Sequence, residues 1–151
     1  DLAVANTETV VCSLTFAANG LAAGMTFRFE AYATRAGTTS ASEIIRIRIG
    51  TTTLIGNIAA TLTPPLSTLA VGNVIQGLVT IRTAGSGGTA TGMIVRSTHL
   101  AAVTITPAVS AFTTPVTVDT TAANQKIELT FISGSANNTY TFRNASIQRV
   151  N

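Results

Sequence analysis

The chain has 151 residues, of which 46% are hydrophobic, 5% aromatic with no tryptophan, and only 10% charged. A chain of this length fits one domain with a real core, since it buries roughly 68–70% of its unfolded surface. The net charge of +3 comes from eight arginines and Lys126 set singly along the sequence. A nucleic-acid binder would gather them into a basic stripe with interleaved aromatics, so no nucleic-acid partner is expected.

Soluble domains carry roughly a quarter charged residues. Here the surface must instead be made of Thr, Ser, Asn and Ala, with 28 threonines in the chain. Surfaces so poor in charge suit a protein that lives inside an assembly, because free proteins rely on charge for solubility. No apolar run reaches the ~18 residues of a membrane-spanning helix, so no membrane partner is expected. No secretory signal peptide is read, and the start at Asp1 leaves processing or excision from a longer polypeptide open.

Alternation with a period of two recurs along the chain and predicts strands. Over 9–17, Cys12, Leu14 and Phe16, in phase with Val10, oppose Val11, Ser13 and Thr15. Over 25–35, Phe27, Phe29, Ala31 and Ala33 oppose Arg28, Glu30, Tyr32 and Thr34. Over 43–50, Ile45, Ile47 and Ile49 oppose Arg46 and Arg48. A weaker strand is expected over 52–62. Over 73–83, Ile75, Val79 and Ile81 oppose Gln76, Thr80 and Arg82. Strands are expected over 89–98 and 101–106. Over 126–133, Ile127, Leu129 and Phe131 oppose Lys126, Glu128 and Thr130. Over 139–150 the phase moves by one residue near Asn144, from Tyr140 and Phe142 to Ala145 and Ile147, which predicts a bulge or a change of sheet.

Asn19-Gly20, 37–40, Pro64-Pro65, 85–88 and 133–138 supply the turns between these runs. At most a short helical turn is expected near 66–71 or 120–125. About eight strands with regular turns predict a single all-β domain over 1–151. Its expected form is a two-sheet antiparallel sandwich, a jelly roll rather than an immunoglobulin-like fold, whose Cys–Trp–Cys pattern is missing. Gly85-Ser86-Gly87-Gly88 reads as a hairpin tip; neither a Lys-Ser/Thr pair nor a helix follows it as a phosphate loop requires.

Little in the sequence points to catalysis. The acids are Asp1, Glu8, Glu30, Glu43, Asp119 and Glu128. Glu30 and Glu128 could meet as a glycosidase-type dyad, but cross-strand pairing with arginines such as Arg28 or Arg46 is the better expectation. His99, the single histidine, could form a set with Asp119, yet no nucleophile elbow accompanies it and it reads as a polar surface or interface residue. Cys12, the single cysteine, reads as a small buried hydrophobe. One His, one Cys and scattered acids make a poor metal site, so no metal and no cofactor is expected. Only Tyr32 and Tyr140 read as outward or rim aromatics, a thin basis for a sugar site. The sequons at Asn137 and Asn144 read as turn and strand residues.

Four stretches, in order and spanning nearly the whole chain, resemble a recurrent pattern in tailed-bacteriophage virion proteins. They are Ala18-Asn19-Gly20-Leu21 through Gly24–Tyr32; Ile45–Thr52; Gly77–Thr83 with its Gly-rich tip; and Val116–Thr121, then Ile127–Thr130, ending Asn138–Ile147. Such proteins often carry an aromatic, commonly Trp, near the second-last strand, where this chain has Phe131-Ile132. The resemblance implies a jelly-roll module on a virion surface and transfers no catalytic residue. Its first implication is a capsid decoration (cement) protein, binding itself as a homotrimer and the major capsid or other virion proteins. The alternative is a tail-fibre or head-fibre domain that binds a receptor or glycan. The expected place is the virion, after synthesis in the host cytoplasm. Arg46 and Arg48, on one face of a strong strand, are the expected subunit-interface residues, bonding to acids of a neighbouring subunit. A sandwich enzyme using His99, Asp119 and Glu128 is the remaining rival.

Overall fold

The structure, a computed structural model, describes residues 1–4, 6–37, 41–55, 60–62, 71–99, 108–111 and 114–151. Among these, every regular element is a strand: β1 (Leu2–Val4), β2 (Thr9–Phe16), β3 (Thr26–Ala36), β4 (Ala41–Ile49), β5 (Thr52–Ile55), β6 (Ala60–Leu62), β7 (Val71–Thr83), β8 (Gly88–His99), β9 (Ala108–Ala111), β10 (Val116–Val118), β11 (Gln125–Ile132) and β12 (Thr139–Arg149). The larger sheet runs β1-β12-β3-β7-β8-β10, with β9 also on β8; the smaller runs β2-β11-β4-β5, with β6 also on β4. All pairings are antiparallel. The expected all-β sandwich is therefore present. The order is nested: the first strand pairs with the last, the second with the second-last, and β3 and β4 lie inside those pairs.

The alternation read from the sequence places the core. Phe27 and Phe29 of β3, Ile75 and Val79 of β7, and Phe142 of β12 point inward from the larger sheet. Ile45, Ile47 and Ile49 of β4 and Ile127, Leu129 and Phe131 of β11 point inward from the smaller one. The faces interlock through aromatics: Phe131 lies 4.6 Å from Tyr140 and 5.3 Å from Phe142, and Phe16 lies 5.4 Å from Phe27, centroid to centroid. Gly77 occupies an inward position of β7. A Cβ there would stand 3.0 Å from Ile94 Cγ1 and from Met93 O and 3.2 Å from Ile47 Cδ1, so a side chain would need these neighbours to give by a few tenths of an ångström.

Several boundaries differ from expectation. There are twelve strands among the described residues, not about eight, because β1, β9 and β10 are too short to show a period. The weaker strand over 52–62 is β5 and β6, joined through 56–59, outside the described residues. The strand expected over 101–106, the Pro64-Pro65 turn and most of 66–71 also lie outside them. The 120–125 segment is a turn with Asn124 at φ 57°, not a helix. The phase shift near Asn144 is a bulge: pairing with β3 slips between Phe142 and Asn144, which turns Ala145 and Ile147 inward.

Two positions are corrections. Val10 was expected inward, but a slip between Leu129 and Thr130 in the β2–β11 register sends it outward, 44% exposed, and packs Val11 against the core instead. Tyr140, read as a rim aromatic, is wholly buried against Phe131.

Candidate functional site

Among the described residues, three of the six exposed large apolar side chains, Tyr32, Leu78 and Met93, lie on the outer face of the larger sheet. Register places Arg28, Leu78 and Met93 in one cross-strand row, Glu30, Gln76 and Val95 in the next, and Tyr32, Val74 and Ser97 in a third. Tyr32, Leu78 and Met93 are 41%, 39% and 38% exposed. Strand alternation alone puts them there, since each sits between inward neighbours such as Ala31 and Ala33, or Gly77 and Val79. A shallow hollow of about 280 Å³ lies over Leu78, Met93 and Val95, with Arg28 and Glu30 at its rim. A second, of about 200 Å³, lies between Tyr32, Val74, Glu30, Gln76 and Asn144. The two share Glu30 and Gln76 and so run together along β3 and β7. Arg28 Nε and Glu30 Oε1 are 3.7 Å apart: Glu30 pairs with Arg28, but along β3 rather than across strands as expected.

The outer face of the smaller sheet holds Arg46 and Arg48. Both reach Glu8 of their own chain: Arg46 Nη1 donates to Oε2 at 2.7 Å and Arg48 Nη1 to Oε1 at 3.4 Å. Thr130 Oγ1 donates to Oε1 at 2.7 Å, which covers a threonine that would otherwise face outward. Partial burial pushes Glu8 upward, but the Thr130 bond and the two guanidiniums outweigh it and hold the carboxyl below its ordinary value. The two arginines thus have an internal acid, which the sequence expectation of acids on a neighbouring subunit did not include. Glu128 stands opposite Arg48 in the strand register rather than beside Glu30, which lies on the other sheet.

A second ionic cluster, unanticipated from sequence, is sealed inside one end of the sandwich. Arg35, Glu43, Asn73 and Arg96 are all buried. Arg96 Nη1 donates to Glu43 Oε2, while its Nε and Nη2 donate to Asn73 Oδ1 at 3.1 and 2.7 Å. Arg35 Nε lies 3.9 Å from Glu43 Oε1. Burial pushes the Glu43 carboxyl up against the downward pull of Arg96 and Arg35, and burial lowers Arg96 against the upward pull of Glu43. The signal was parity: Arg35 follows Ala33 by two, Glu43 and Asn73 precede Ile45 and Ile75 by two, and Arg96 follows Ile94 by two.

The groups considered for chemistry are dispersed. Asp119 Oδ1 accepts from Thr121 N at 2.8 Å and Thr121 Oγ1 at 2.6 Å, a turn-forming pair that also lowers its pKa. His99 ends β8 opposite Gly72; the expectation for its side chain falls outside the described residues. Cys12 is half-buried against the core, and burial pushes its thiol up to about 11. Among the described residues no three His, Cys, Asp or Glu side chains group as metal ligands. Comparison with family models, with curated proteins and with solved structures finds no match for this chain.

Proposed function

We propose that this chain is a structural subunit that works by adhesion, covering the outer surface of a protein assembly. The observation that carries the reading is the row-by-row placement of Tyr32, Leu78 and Met93 on the outer face of the larger sheet, with Val74 and Val95 between. Burial of one such side chain is worth about 1.5–3 kcal/mol, so a few suffice for a specific contact when neighbours exclude water. The charge-poor composition supports the same reading. The nested strand order supports reading the sandwich as a jelly roll with β8, β9 and β10 added at one edge. Together with the resemblance to virion proteins, this favours a decoration protein on a phage head, lying against coat subunits. The test is co-sedimentation of the purified chain with virions of its source. Wild type should pellet with them, and Leu78→Glu/Met93→Glu should stay in the supernatant. A variant that pellets equally would contradict the docking face.

A second reading rests on Tyr32. Its ring borders the hollow with Glu30, Gln76 and Asn144, an aromatic with hydrogen-bonding neighbours as a glycan-binding fibre domain would use. Retention of the chain on immobilised host-surface polysaccharide, lost in Tyr32→Ala, would favour it over the coat-binding reading.

A further inference from the structure

Among the described residues, five of the six strands that end a sheet or a branch of it are short. β1, β6 and β10 have three residues each, and β5 and β9 have four. Short edges are a recognised protection against unwanted strand pairing, as are edge lysines and prolines. β2 departs from this pattern. It is eight residues long, it ends the smaller sheet, and among the described residues it pairs with β11 alone. Its sequence, Thr9-Val-Val-Cys-Ser-Leu-Thr-Phe16, contains neither a charge nor a proline. No residue of β2 is fully buried, whereas the central β3 alternates cleanly between buried and exposed.

We infer that β2 pairs antiparallel with β2 of a second copy of this chain, across a two-fold axis at Leu14. An open edge presents a row of unpaired N–H and C=O groups, so the occupant it fits is another extended strand. The irregular part of β2, where pairing slips beside Val10, lies toward its start; Cys12–Phe16 is the regular stretch and Leu14 its middle. With the axis there, Leu14 faces Leu14 of the second copy, Cys12 faces Phe16, and Ser13 faces Thr15. Pairing covers the half-exposed Cys12, Leu14 and Phe16 on the inner side. On the outer side, Glu128 flanks Ser13 and Lys126 flanks Thr15 in the β11 register. Each outer row therefore runs Glu128, Ser13, Thr15, Lys126 across the join, with opposite charges at its ends and none opposed to its like. The product is one ten-stranded sheet shared by two copies, each contributing five strands.

The inference deepens the adhesion reading by naming this chain as one of its own partners, and by two-fold symmetry gives a dimer where the virion resemblance implies a trimer. The experiment is sedimentation velocity across the micromolar range on wild type and on Ser13→Lys/Thr15→Lys, two exposed positions, with far-UV circular dichroism to confirm that the variant folds. Wild type should sediment as a concentration-dependent dimer. The lysine variant sets like charges opposite one another and should weaken the dimer about tenfold or more. Mixing it with Ser13→Glu/Thr15→Glu should restore a heterodimer. A wild-type monomer or trimer, or a dimer indifferent to the lysines, would overturn the inference. Binding of the lysine variant to virions reads the adhesion claim separately, because those lysines lie on the opposite sheet from Tyr32, Leu78 and Met93.

Discussion

The molecule builds the same ionic group twice, one glutamate between two arginines, in opposite surroundings. Glu43 with Arg96 and Arg35 is sealed in the interior; Glu8 with Arg46 and Arg48 lies half-exposed on the outer face of the smaller sheet. At Glu8 the hydrogen bonds and guanidiniums outweigh desolvation and the pKa falls; at Glu43 desolvation outweighs two guanidiniums and the pKa rises. Composition alone does not decide what an ion cluster does. The cost of removing its members from water decides it, and at Glu43 the cluster survives because each guanidinium nitrogen of Arg96 donates to Asn73 or Glu43.

That contrast can be broken from either side. The largest effect is expected for Arg96→Met, which takes from the buried Glu43 its closest cation and should cost about 3–5 kcal/mol in urea unfolding. With its closest cation gone, Glu43 in the folded state should hold its proton above the ordinary carboxylate pKa. The variant's stability should then decline as pH rises from that value through the raised one. Glu8→Ala should cost less, about 1–2 kcal/mol, because water reaches Arg46 and Arg48 once the carboxylate is gone. The pH dependence of Glu8 has the opposite sign. Its folded pKa is depressed, so its contribution is complete above the ordinary value of 4.5 and is lost as pH falls through the lower folded value. Urea midpoints taken through that acid range should drop more steeply in wild type than in Glu8→Gln. The smallest effect concerns Cys12: with its thiol pushed up to about 11, it should react slowly with a thiol reagent in folded protein near neutral pH and quickly once unfolded.

Both sheets were legible wherever alternation ran long enough. Phe27 to Ala33 and Ile45 to Ile49 fixed the faces of β3 and β4, and the break between Phe142 and Ala145 located the β12 bulge. The slip in β2 was hidden because Val10 and Val11 are both apolar, so either could satisfy the pattern. The proposed docking face was hidden for a related reason. Leu78 and Met93 each stand beside inward apolar groups in sequence, and only the register of β3, β7 and β8 shows that they share a face with Tyr32. The ionic partners were the least legible. Glu8 reaches Arg46 and Arg48, and Glu43 reaches Arg96, across strands far away in sequence, pairings that depend on tertiary placement rather than on any local period.

The central claim is that the outer face of the larger sheet is covered in the assembly. Hydroxyl-radical footprinting, read by mass spectrometry on the free chain and on the chain bound to virions, tests it directly, because Tyr32 and Met93 are oxidisable reporters on that face and buried Tyr140 is an internal control. The account predicts strong modification of Tyr32 and Met93 in the free chain, protection of both on the virion, and no change at Tyr140. Equal modification of Tyr32 and Met93 in the two states would contradict it.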